Sequence, residues 1–166
     1  MGSYRVVPEA SEVVVDARSS VHSIHGSAGE IRGQVEADVV DGVISGALGG
    51  RLEVPIDGLR SGNRFLDAEL RRRTDARRHP VIVGEIRHAA TTSDGGHFRV
   101  DGEVTFHGQT QPVTGELLVR AEGDRLILEG EHVFDIRDFG LAPPRILMLS
   151  VEPDVTVRIR LVAEPA

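Results

Sequence analysis

The stretch HFRVDGEVTFHG, His97 to Gly108, carries the pattern on which the fold turns. Phe98, Val100, Val104 and Phe106 fall on one face of an extended chain, and His97, Arg99, Asp101, Glu103, Thr105 and His107 on the other. Side chains alternate across a strand, so the pattern gives one dry face and one wet face, as in an antiparallel sheet over a core. The same period runs outward in both directions. Upstream, RLEVPIDGL places Leu52, Val54 and Ile56 together, and Val13 and Val15 share a face near the N-terminus. The strand after Pro80 does the same with Ile82, Gly84 and Ile86. Downstream, the apolar sets are Val113, Leu117 and Val119, then Leu126, Leu128, Phe134 and Ile136, then Val155, Val157, Ile159 and Leu161. Turn residues fall between the runs at Asp41-Gly42, Gly49-Gly50, Asp94-Gly95-Gly96, Glu122-Gly123-Asp124 and Glu152-Pro153-Asp154. About eight strands spaced in this way predict an all-β domain, a sandwich or a closed barrel. No repeat or composition shift divides residues 1–166, which are expected to form a single domain. Ala142 to Leu149, APPRILML, is expected to be a loop followed by a short apolar stretch.

One segment breaks the period. RFLDAELRRRTDARRHPVI, Arg64 to Ile82, holds six arginines at helical spacing. Asn63 is placed to cap a helix, and Leu66 and Leu70 give it a narrow apolar stripe. Asp67 with Arg71 and Glu69 with Arg73 set acid four residues before base, the favourable order on a helix. Pro80 turns the chain back to a strand. The spacing predicts one connecting helix over about Arg64 to Arg78. A solvated face over a small apolar stripe is the favoured reading, and a grip on a polyanion the alternative.

The rest of the composition limits the choices. The 19 basic residues are all arginine and the net charge is -7, which opposes a general affinity for nucleic acid. No run approaches the ~18 apolar residues of a membrane helix, so stable membrane insertion is not expected. MGSYRVVPEASEVVV lacks a basic region followed by a long apolar stretch, which places the chain in the cytoplasm, although a trimmed secreted chain would look the same. There is no cysteine, hence no disulfide, thiolate chemistry or cysteine metal site.

The order of three motifs resembles the YceI-like family of lipocalin-type lipid-binding proteins. SGNRFLDAELRRRTDARRHPVIVGEI matches its landmark stretch at Gly62, Asn63, Asp67, Glu69, Leu70 and Pro80. GEVTFHGQTQPVTGEL, Gly102 to Leu117, is similar to its strand-turn-strand signature at Thr105, Gly108, Thr110, Pro112 and Val113. IRDFGL, Ile136 to Leu141, resembles its arginine-aspartate-phenylalanine-glycine motif. The resemblance implies an extended antiparallel eight-stranded lipocalin-like barrel, often dimeric, holding a long apolar chain such as a polyisoprenoid. The arginine-rich helix then becomes a connection packed on the barrel.

Under that resemblance the ligand-binding wall is expected at Val13, Val15, Val54, Ile56, Ile82 and Gly84. It continues through Ile86, Phe98, Val100, Val104, Phe106 and Leu117, and then Val119, Leu128, His132, Phe134 and Phe139. The same faces serve equally as an ordinary core, because periodicity does not separate an open barrel from a filled one. The family usually carries a phenylalanine where Gly84 stands, so an inward Gly84 either enlarges the cavity or opens a slot, or its gap is filled by a bulge or a neighbouring side chain. With 4% aromatics, the wall is mainly Val, Leu and Ile, and the ligand is expected to differ from a long isoprenoid.

Few polar residues invite chemistry. His22 and His25 are three apart and diverge on a strand, which argues against a metal; His25 is instead a possible headgroup contact, extending a face with Val13, Val15 and Val21. His132 shares parity with Leu128 and Phe134 and points inward, whereas His107 points out. Arg137 is either a structural ion pair with Asp138 or a second headgroup contact. There is no nucleophile elbow, and the glycines of GALGG, Gly46 to Gly50, precede a strand rather than a phosphate-binding helix. Neither cofactor nor metal is expected. The leading reading is a carrier of an isoprenoid-type lipid. A barrel enzyme folding a polyene with His25, His132 or Arg137 is the second, and a filled-core stress or assembly protein the third.

Overall fold

The computed structural model describes residues 2–21, 23–92, 96–143, 145–146 and 149–166. The N-terminal segments are β1 (Gly2–Val6), β2 (Glu12–Ser19), β3 (Ser23–Ala28), β4 (Arg32–Val40), β5 (Val43–Pro55) and β6 (Leu59–Arg60). They are followed by α1 (Arg64–Arg73), β7 (Val81–Thr91), β8 (His97–Phe106), β9 (Gln109–Glu122), β10 (Arg125–Asp135), β11 (Arg145–Ile146) and β12 (Leu149–Pro165). Three pairs are single strands with a break: β1 and β2 both lie along β12, β3 and β4 continue one line, and so do β5 and β6. Each resulting strand pairs with its sequence neighbour, and β12 closes on β1 and β2, giving an eight-stranded antiparallel up-and-down barrel. Closure leaves no long unpaired edge; within the ring the short β6 pairs on a single side.

The breaks have local causes. Pro8 has no N–H to give the ladder, and Ser11 bridges the gap: its hydroxyl donates to Val7 O at 2.7 Å and accepts from Val162 N at 2.9 Å. The other two breaks abut, with Gly29 N donating to Gly58 O at 2.9 Å. A Cβ on Gly58 would lie 2.3 Å from Gly29 O, so that approach requires glycine.

Two expected turns are strand instead. Gly49-Gly50 lies inside β5, where Gly49 pairs with Glu36, and Gly50 with Val35 on one side and Ile86 on the other. Ladders on both flanks hold the chain extended there. Glu152-Pro153-Asp154 lies inside β12, where the register against β2 shifts between Val151 and Val155. A bulge is where a sheet tolerates proline. Asp41-Gly42 and Gly123 do turn the chain, with positive φ at all three; Asp94 and Gly95 lie outside the described residues.

The helix is shorter than its spacing predicts. Asn63 caps it as expected, accepting from Phe65 N and Leu66 N. It ends at Arg73 because Asp75 adopts a left-handed φ of 51°, with Ala76 N donating to Arg71 O and Asp75 N to Arg72 O. That is a Schellman closure, usually built on glycine. Asp67 does not pair with Arg71. It accepts instead from the N–H (3.0 Å) and hydroxyl (2.7 Å) of Ser61, tying the helix to the end of β6. Glu69 pairs with Arg73 as expected and with Arg72 as well, and these guanidiniums hold its carboxyl below the usual range.

One end of the barrel is plugged by side chains. Phe98, Val119, Leu126, Ala37, Leu48 and Ala163 are all buried there. α1, the segment after β10 and the β2–β3 turn lie at the opposite end.

Candidate functional site

Between that plug and the far end the barrel encloses a cavity of about 510 Å³. Alternation puts Val13, Val15 and Ala17 of β2 into it, with Leu52 and Val54 of β5 and Ile82 and Ile86 of β7. Val100, Val104 and Phe106 of β8 face Val113 and Leu117 of β9 and Leu128 and Phe134 of β10 across it. β12 supplies Val155, Val157 and Ile159. Its volume lies within the ~300–1,000 Å³ range of small-molecule sites, which are mostly apolar with a few polar groups.

Two glycines on the inward face make room. Gly84 of β7, Gly102 of β8, Gly115 of β9 and Gly130 of β10 all line the cavity. A Cβ on Gly102 would lie 2.3 Å from Glu85 O and one on Gly130 2.6 Å from Leu117 Cδ2, so those two serve close approach instead. A Cβ built on Gly84 meets no atom within 4 Å, and one on Gly115 meets only His132 Nδ1 at 3.7 Å. These glycines share parity with the apolar residues of their strands, a signal present in the sequence and exploited only for Gly84. A filled core does not fit this interior.

The mouth is built from aromatic rings and the helix. Phe106 and Phe139 meet at a tilt with centroids 5.5 Å apart, Phe134 and Phe139 lie at 6.4 Å, and His132 meets Phe134 edge-on at 4.6 Å. Phe139 is pinned from behind, because His107 Nδ1 lies 3.0 Å from its carbonyl and Gln111 donates to Asp138 O at 2.8 Å. The ladder between β5 and β7 ends at Pro55 and Val81, and β6 beyond it pairs only with β3. α1 fills the resulting gap with Leu66 and Leu70, the narrow apolar stripe beneath its solvated face.

Of the expected wall residues, Ile56, Phe98 and Val119 do not line the cavity. Phe98 and Val119 belong to the plug, and Ile56 is buried in the short turn between β5 and β6. The other fourteen are on the wall, joined by Ala17, Ile24, Leu66, Leu70 and Leu141. Ile24 lay across a turn where the phase resets and could not be carried over from β2.

Neither expected headgroup contact faces the cavity. His25 pairs opposite Asp16 on the outer surface, its side chain 70% exposed, because Ile24 and Gly26 take the inward positions of β3. Asp16 also binds Arg158 across β12, and hydrogen bonds from His25 and then Arg158 pull its carboxyl below the usual range. Val21 does not continue the inner face; it is 73% exposed in the β2–β3 turn. His22 lies outside the described residues. Arg137 points outward and pairs with Asp135 at 2.6 Å rather than with Asp138. Asp135 also accepts from Arg137 N at 2.9 Å, so it caps the short helical turn that positions Phe139. His132 does face inward, and among the described residues no hydrogen bond holds its ring. No cluster of three metal-ligating side chains occurs among the described residues.

A barrel plugged at one end, with an apolar chamber reached past aromatic rings at the other, defines a lipocalin-type container. The chain belongs to the YceI-like domain family, whose model matches residues 4–163. Solved structures support the fold. BcnA of Burkholderia cenocepacia is 17% identical with a TM-score of 0.82, covering 95% of this chain and 98% of its own. A polyisoprenoid binding domain from Saccharophagus degradans, implicated in plant cell wall breakdown, is 12% identical with a TM-score of 0.81 over the whole of both chains. The YCEI protein of Campylobacter jejuni is 13% identical with a TM-score of 0.72, covering 89% and 88%. No curated protein sequence matches the chain.

Proposed function

We propose that the protein binds an isoprenoid-type lipid inside the barrel and holds it away from water. The observation that carries this reading is the 510 Å³ cavity with its aliphatic wall. Each methylene transferred into such a site contributes about 0.8 kcal/mol, so a branched hydrocarbon tail binds without specific polar chemistry. Family membership and the polyisoprenoid binding domain with the same fold support the choice of tail. The ring of His132, open toward the cavity, is the group best placed to meet an oxygen on the ligand. A homodimer acting in the cytoplasm completes the proposal, and light scattering and cell fractionation test those two points.

The direct test is an equilibrium titration with farnesol, geranylgeraniol and a short-chain isoprenoid quinone. Binding in the wild type, with loss of at least about tenfold in Val100→Trp or Phe106→Trp at unchanged fold, is the expected outcome. Undiminished binding by folded versions of both variants would remove the assignment of this wall.

A further inference from the structure

We propose that the outer face of α1 docks the barrel mouth onto an anionic lipid bilayer, so that ligand passes between membrane and cavity; this rests on the lipid-binding reading above. Between Arg60 and His79 the chain carries seven arginines and three acids, an excess of four positive charges in a protein of net charge -7. The three acids are engaged locally: Glu69 with Arg72 and Arg73, Asp75 with Arg78, and Asp67 with Ser61. Arg64 and Arg77 are exposed and form no ion pair among the described residues. The rim across the mouth carries Asp135, Asp138 and Asp154 near Arg137, so the α1 side complements a negative surface better than that rim.

Apolar side chains share that end. Phe65 is 70% exposed on α1, next to Leu66 which lines the cavity, and Val21 is 73% exposed in the β2–β3 turn. No residue of α1 is buried, so the helix rests on the barrel through partial contacts. Arginine next to an exposed phenylalanine is the composition of a helix that lies in a membrane interface, and anionic lipid attracts such segments through screened electrostatics. Docked by this face, the mouth opens at the level of the acyl chains. A nucleic acid would also meet arginine and a ring, but it has no use for the apolar cavity that Leu66 and Leu70 of the same helix line.

The test is co-sedimentation of ligand-free protein with vesicles of phosphatidylcholine alone and of phosphatidylcholine with phosphatidylglycerol. Binding to the anionic vesicles is expected to be at least about thirtyfold stronger, to weaken as salt rises, and to fall by about thirtyfold in Arg64→Ala/Phe65→Ser/Arg77→Ala. Because the chain contains no tryptophan, Phe65→Trp supplies a single reporter that should shift to the blue on anionic vesicles. Equal binding to both vesicle types, full binding by the triple variant, an unshifted reporter, or displacement from vesicles by a tighter-binding oligonucleotide would each overturn docking. Uptake of farnesol from detergent solution is measured alongside. Uptake without vesicle binding defeats docking alone, and vesicle binding without uptake defeats the lipid-binding reading.

Discussion

At Gly84 a side chain would project into open space, since a Cβ there meets nothing within 4 Å. Gly84→Phe is therefore expected to fold with a melting temperature near that of the wild type and to weaken lipid binding by at least tenfold, roughly the loss of two methylenes of burial. Thermal melts and titration of the variant check both halves. Asp16, on the outer wall, is a different kind of residue. Its carboxyl is held low by His25 and Arg158, so its stabilising contribution is present above the ordinary Asp value of about 3.9 and is lost as pH falls through its lower folded value. Asp16→Asn should lower stability at neutral pH and match the wild type in strong acid, as urea unfolding at both extremes will show.

At the scale of elements, α1 has no buried residue of its own and is anchored at its end by Thr74, which is 1% exposed. Removing its cap in Asn63→Ala should cost about 1 kcal/mol of local stability. Amide exchange should then rise roughly fivefold at Phe65 and Leu66, whose N–H groups the cap accepts, while the global melt barely moves. Unchanged exchange there would mean that packing rather than the cap holds the helix. The helix also marks the limit of what the sequence disclosed. Its start was legible because asparagine caps by a local hydrogen bond; its end was not, because Asp75 closes it in a conformation usually left to glycine. Strand faces were legible wherever period two ran unbroken, as from Phe98 to Phe106. They failed where turns or bulges intervened, which is why His25 and Pro153 were misplaced. The inward glycines of β8, β9 and β10 were visible by parity, but parity does not say whether a neighbour fills the space. The contribution of α1 to the wall depended on where the ladder between β5 and β7 stops, a tertiary fact.

For the whole molecule, the volume of the chamber sets the length of the guest. A cavity of about 510 Å³ closed by the plug holds a tail of finite length, and each methylene inside it contributes about 0.8 kcal/mol. Affinity should climb steeply from geraniol to geranylgeraniol and level off for longer prenols, whose extra carbons stay at the mouth; a continued rise through much longer chains would mean the barrel opens further than the structure shows. Lipid carriage itself is tested most directly by native mass spectrometry of the protein purified from its own host, followed by organic extraction of whatever is released. The expected result is a stoichiometric adduct that dissociates to an isoprenoid. A clean ligand-free mass, with no uptake from a panel of prenols and quinones, would contradict it.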